Sequence, residues 1–107
     1  MLIMKVNILN SKKISEMIKN KEFQLIIDLR QEEFYLEGHL FDAINIPTNE
    51  INDNLEYIRS ITNEDILLCC ANGNQSITVG KVLLLDGFKN VYSLANGMKD
   101  YKYELYK

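Results

Sequence analysis

The sequence predicts an α/β fold in three layers, with a mainly parallel central sheet covered by helices on both faces. Three observations carry this. Short apolar runs alternate along the chain with helical patterns. The run Ile66-Leu67-Leu68-Cys69-Cys70 is apolar on both alternating faces, as a central parallel strand must be. No repeat, low-complexity tract or Pro/Gly/Ser linker breaks the order, so residues 1–107 read as a single domain.

Ile3 to Leu9 is a first, weakly marked strand. Asn10 or Ser11 caps a helix whose Ile14, Met17 and Ile18 form one apolar stripe at i, i+3, i+4. Phe23 to Ile27 is an apolar run closed by Asp28, a buried strand. Gln31 to Leu36 forms a short helix that Gly38 stops. Thr48 or Asn49 caps a further helix, with Ile51, Leu55 and Ile58 at i, i+4, i+7. The central strand follows, then a turn rich in Gly and Asn. Ser76 caps a helix through Val79, Val82 and Leu83 that ends at Gly87. Val91 to Leu94 is the last strand. After the turn at Asn96-Gly97, Met98, Tyr101 and Leu105 place a terminal amphipathic helix.

Composition narrows the functional classes. Hydrophobic residues at 47% and charged residues at 25% describe an ordinary globular chain. Twelve Lys+Arg against fifteen Asp+Glu give −3, which argues against a nucleic-acid binder and against an anionic membrane surface as partner. No apolar run approaches the ~18 residues of a bilayer span, and the start lacks the pattern of a secretory leader. Cys69 and Cys70 are adjacent, too close to bridge one another and too few for a disulfide framework. Reduced thiols in the cytoplasm are the expectation. One histidine and no thiols beyond this pair supply too few ligands for a metal site.

In parallel sheets, ligands bind beyond the carboxyl ends of the strands. The segment Cys70-Ala71-Asn72-Gly73-Asn74-Gln75-Ser76 occupies that place. A thiol there faces the N–H groups of a tight loop and the positive end of a helix, and both favour thiolate over thiol. Gly73 permits positive φ, Asn72 and Asn74 tolerate it, and small residues keep the space above the sulfur open. The other reading of Cys70 is a small hydrophobe ending a strand.

The same residues resemble the active-site loop of the rhodanese-like sulfurtransferases, Cys-x-x-Gly-x-Arg-Ser/Thr. Ile27-Asp28-Leu29-Arg30 is similar to that family's Asp-Val-Arg. Glu33 to His39 with Ala43-Ile44-Asn45-Ile46-Pro47 is similar to its Glu-Tyr/Phe-x-x-Gly-His block with Ala-x-Asn-Ile-Pro. Gly87 to Leu94 is similar to its Gly-Phe-x-Asn-Val-Tyr-x-Leu. The blocks stand in family order over nearly the whole chain. The resemblance implies a rhodanese-like fold and a two-step exchange with ping-pong kinetics. The Cys70 thiolate attacks the outer sulfur of a small donor, thiosulfate or a persulfide. The loop from Ala71 to Ser76 holds the resulting Cys70 persulfide. Cyanide, a thiol or another protein then accepts the sulfur. No cofactor and no metal is implied, and the oligomeric state stays open.

The departures from the pattern bear on substrate. The family's loop arginine falls on Gln75, and the commonly basic position after the cysteine is Ala71. The loop then offers no bidentate grip on an oxyanion. Losing one charge-assisted contact costs about 1.5 to 3 kcal/mol, roughly 10- to 150-fold in affinity. Poor use of thiosulfate and better use of a persulfide are therefore expected. The competing class is a catalytically weak or inactive rhodanese-homology module that binds or regulates a partner. A cysteine phosphatase is excluded by spacing, because the sixth residue after Cys70 is Ser76 and no arginine follows Arg59.

Other polar residues have structural readings. Cys69 points to the face opposite Cys70. His39 is expected in a satisfied hydrogen bond, and Arg30 in an ion pair with Asp28 or Glu33. Glu32, Glu33 and Glu37 form a solvated helix face.

Overall fold

The structure, a computed structural model, describes residues 5–107. Five parallel strands form one sheet: β1 (Asn7–Leu9), β2 (Leu25–Asp28), β3 (Ile44–Asn45), β4 (Glu64–Cys69) and β5 (Lys89–Leu94), in the order β1-β5-β4-β2-β3. Four α-helices connect them: α1 (Ser11–Lys19), α2 (Glu32–Glu37), α3 (Leu55–Ile61) and α4 (Asn74–Leu85). β4 is central, and Ile66 to Cys69 are buried on both faces as its apolar run requires.

Alternation along β4 divides the core into two layers. Ile66, Leu68 and Cys70 face Ile58 of α3 and Val79 and Leu83 of α4. Leu67 and Cys69 face Ile14 of α1 with Leu94, Met98 and Tyr101. Cys69 and Cys70 therefore lie on opposite sides of the sheet, as the two-residue period demands. α1 is capped by the Asn10 side chain, which accepts from the Lys13 N–H at 2.8 Å. In α4 the buried residues Ser76, Val79, Gly80 and Leu83 form one stripe. Gly80 is needed there because a β-carbon would stand 2.7 Å from Val6 Cγ2.

Registers bring three strand ends together. Asp28 pairs with Cys69 and Leu68 pairs with Ser93, so β2 and β5 flank the end of β4. Two bonds carry the alignment beyond the strands: Leu29 N–H to the Cys69 carbonyl and Met98 N–H to the Cys70 carbonyl, both 2.8 Å.

Four expectations are corrected and one strand is added. The terminal helix is absent: Met98–Asp100 is one 3-10 turn, and Tyr101 is extended and buried. The chain end instead pairs Tyr106 with His39 through two backbone bonds of 2.8 Å, which three apolar positions at helical spacing do not outweigh. Thr48 and Asn49 begin no α-helix. Two 3-10 turns (Thr48–Glu50, Asn52–Asn54) precede α3, because the Thr48 N–H is drawn to the Leu29 carbonyl at 3.1 Å. Ser76 caps nothing; α4 starts at Asn74 after Gly73 turns at φ 93°, and Ser76 is buried in its first turn. β3 was not foreseen, since two residues are too few for a periodicity signal. The first strand shortens to Asn7–Leu9, and the residues before Lys5 lie outside those described.

Candidate active site

The segment Cys70 to Ser76 spans the gap from β4 to α4. Cys70 follows the last residue of the strand, Ala71 and Asn72 form the bend, Gly73 is the helix N-cap, and Asn74, Gln75 and Ser76 are the first turn. A helix start exposes N–H groups with no partner inside the helix, and a glycine cap has no side chain to offer them. The Cys70 sulfur takes that place. Gly73 N–H donates to Sγ at 3.2 Å and Ser76 N–H donates to it at 3.4 Å. Asn72 Oδ1 accepts from the Asn74 N–H at 3.1 Å and fixes the bend between them.

Behind the sulfur stand two hydroxyls that no water reaches. Cys70 Sγ lies 3.5 Å from Ser76 Oγ, which donates to the Gly73 carbonyl at 3.2 Å and lies 2.5 Å from Ser93 Oγ. Ser76 and Ser93 are each fully buried. Ser93 was not anticipated, although a serine alternating with Val91 on the inward face of β5 is the available signal. The loop is also wedged from behind by the turn at Asn96-Gly97. A β-carbon on Gly97 would stand 2.5 Å from the Ala71 carbonyl oxygen, and one on Gly73 2.9 Å from the Asn96 nitrogen.

The space above the sulfur is not open, contrary to expectation. Cys70 is 1% exposed. A cavity of about 600 Å³ lies over the loop, with Ala71 and Gln75 in its wall rather than Cys70. Leu29, Phe34 and Met98 supply apolar surface, and Thr48 donates to Gln75 Oε1 at 3.0 Å from one wall to the other. Phe34, at the aromatic position of the Glu-Phe-x-x-Gly-His block, is placed here by α2, while Thr48 and Lys99, which no quoted block contains, are placed by 3-10 turns.

Arg30 reaches the same cavity but is spoken for. Its Nε and Nη2 bond the buried Asp28 carboxylate at 3.0 and 2.8 Å, and Nη2 also donates to the Gly38 carbonyl at 2.7 Å. Burial works against the guanidinium charge, but the bonds and charge of Asp28 more than offset it and raise the Arg30 pKa. His39 does not line the cavity: its Nδ1 lies 2.9 Å from the Tyr35 carbonyl and its ring stacks on Tyr35. Cys69 lies in the opposite core layer, where burial, and then the nearby Asp28 charge, push its thiol well above the usual range. Glu32, Glu33 and Glu37 are exposed. Among the described residues no cluster of His, Cys, Asp or Glu could hold a metal ion, and no helix is long and apolar enough to cross a membrane.

Comparison with known proteins agrees on the domain family, while the relatives' named activities differ. The model of the rhodanese-like domain matches residues 10–104. A tRNA uridine(34) hydroxylase of Buchnera aphidicola is 30% identical over 97 residues, 87% of this chain, which spans 31% of that protein's length. The thiosulfate sulfurtransferase GlpE of Coxiella burnetii is 29% identical over 87 residues, 81% of this chain and 78% of that protein. The crystal structure of SSP1007 from Staphylococcus saprophyticus superimposes with TM-score 0.82 at 23% identity over 95% of this chain and all of that one, a likeness of fold.

Proposed function

This chain belongs to the rhodanese-like domain family, and on that premise we propose that it moves sulfane sulfur through Cys70. The observation that carries the reading is the convergence of the Gly73 and Ser76 N–H groups on one sulfur at the start of α4. Peptide N–H donors held by the fold stabilise negative charge without reorganising when it appears. The Cys70 thiolate attacks the outer sulfur of a small donor. The donor's S–S bond breaks, a new S–S bond forms at Sγ, and the remainder leaves with the electron pair, as sulfite from thiosulfate or as a thiolate from a persulfide. A nucleophilic acceptor, cyanide, a small thiol or a protein thiol, then takes the outer sulfur and regenerates Cys70. No step calls for a metal or an organic cofactor.

Ser76 gives the anion a third donor. With a neutral thiol its hydroxyl donates to the Gly73 carbonyl; with a thiolate or persulfide the same proton can turn to sulfur, 3.5 Å away. Ser93 then donates to Ser76 Oγ, so the rotated hydroxyl keeps a partner.

A second reading rests on two observations, the 1% exposure of Cys70 and the absence of a loop arginine. In it the domain binds a partner without turnover. Intact-mass spectra after incubation with thiosulfate or polysulfide separate the two. A gain of about 32 Da, one sulfur atom, that thiol treatment removes and Cys70→Ser abolishes is expected for transfer. No adduct with either donor on a Cys70 that iodoacetamide can still alkylate favours the binding module.

A further inference from the structure

The cavity over the loop has a charge pattern opposite to that of the chain. The protein carries −3 overall. Yet the cavity wall contains two cations, Arg30 and Lys99, and no carboxylate. Arg30 is neutralised by its bidentate contact with Asp28. Lys99 is not: it is exposed and among the described residues forms no ion pair. Its backbone is also fixed. The Lys99 N–H donates to the Ala71 carbonyl at 3.0 Å, next to the Met98 bond to the Cys70 carbonyl. The lysine is thus stitched to the residue after the candidate nucleophile, at a loop that has no cation of its own.

Size and lining add a second constraint. Thiosulfate has five heavy atoms, and at the ~30 Å³ share of a water molecule these would fill about a quarter of the 600 Å³ available. The volume suits an organic ligand, and the surfaces of Leu29, Phe34 and Met98 suit a carbon skeleton. A lysine offers a point charge on a flexible stem, so it recognises a negative group at the end of such a skeleton without demanding one planar geometry.

We infer that Lys99 is a specificity-determining residue that selects, as sulfur donor, an organic persulfide carrying an anionic group. This deepens the proposed sulfur transfer and rests on it. Cys70 thiolate displaces the organic thiolate from the persulfide: the donor's S–S bond breaks, the bond to Sγ forms, and the thiolate departs with the electron pair and its anionic tail.

Two measurements test it on the intact chain, in wild type, Lys99→Met and Lys99→Glu. The first is the ratio of Cys70 alkylation rates with iodoacetate and with iodoacetamide, near-isosteric reagents that differ in charge and need no sulfur transfer. The ratio should fall about two- to fivefold in Lys99→Met and further in Lys99→Glu, with the differences shrinking in high salt. The second is sulfur transfer to Cys70 from mercaptopropionate persulfide against cysteamine persulfide, whose preference for the anion should fall in the same order. An alkylation ratio equal in all three proteins overturns the role of Lys99. A ratio that responds while the two persulfides are used alike overturns the donor class. Absence of any sulfur adduct, with a ratio that responds, removes the transfer reading and the donor class with it, but leaves Lys99 as the anion-selecting residue of the cavity.

Discussion

The Ser93 hydroxyl lies 2.5 Å from that of Ser76, and among the described residues it has no other side-chain or backbone partner. A residue of β5 is thereby coupled to the first turn of α4 directly behind the thiol. Replacing Ser76 by Ala strands the Ser93 hydroxyl in a fully buried site, at a cost of about 1 to 3 kcal/mol. Replacing both removes the stranded group. Urea unfolding of Ser76→Ala, Ser93→Ala and the double variant should therefore show a double loss smaller than the sum of the singles, with a coupling of roughly 0.5 to 3 kcal/mol. Additive losses would show that the two hydroxyls act independently.

Gly97 and Gly87 differ both in backbone strain and in steric surroundings, since Gly97 at ψ −165° lies in a region that almost only glycine adopts. Both have positive φ, 68° and 96°, but a β-carbon on Gly87 meets nothing within 4 Å while one on Gly97 meets the Ala71 carbonyl and the Asn72 nitrogen at 2.5 and 2.6 Å. Gly87→Ala should cost only the left-handed penalty, about 1 to 2 kcal/mol. Gly97→Ala should cost a further ~1 to 3 kcal/mol, since the obstructing atoms are backbone and can move only with the loop. It should also slow sulfur loading of Cys70, whereas Gly87→Ala should not. Equal denaturation midpoints for the two variants would refute the wedge.

Much of this architecture is legible before any coordinates. The double-faced apolar run of β4 announces a central parallel strand, and the small residues after Cys70 announce a loop that turns into a helix. Cys69 and Cys70 separate to opposite core layers as strand alternation requires. What escaped is what depends on distant partners. Tyr101 and Leu105 have helical spacing, but the chain end finds the His39 backbone instead. Thr48 resembles a cap, yet its N–H is claimed by Leu29, 19 residues earlier, through a contact no local window contains. The loop's turn at Gly73 is legible in the sequence, but Ser76 reads as a cap and is instead buried in the first turn of α4, and the cavity walls at Thr48 and Lys99 come from separate segments.

Gln75 stands at the position that the resemblance assigns to the family's loop arginine. It spends its Oε1 on Thr48. Gln75→Arg should raise kcat/KM for thiosulfate, by up to about tenfold, by supplying one charge-assisted contact at the cavity wall. Use of an organic persulfide should change less, because its body is held by the apolar wall. Steady-state assays with both donors check this. An unchanged thiosulfate value would mean that the missing arginine does not limit thiosulfate use, and a wild type that already prefers thiosulfate strongly would contradict the expected donor order.

The two adjacent cysteines should behave as different chemical species. Burial first, and then the Asp28 charge, hold Cys69 well above the ordinary thiol range, so in the folded protein it keeps its proton where an unfolded chain would lose it. The folded state then binds more protons than the unfolded one, and linkage makes stability fall with rising pH. The Cys69 contribution is fully present below about pH 8.5, the ordinary thiol value, and is lost above it by up to about 1.4 kcal/mol per pH unit until the folded-state value is reached. Urea midpoints measured from pH 7 to 10 should fall more steeply for wild type than for Cys69→Ala, which lacks the titrating group. Native-state alkylation should mark Cys70 alone, with Cys69 labelled only after denaturation. Parallel pH slopes in the two proteins, or prompt native labelling of Cys69, would contradict the buried neutral thiol.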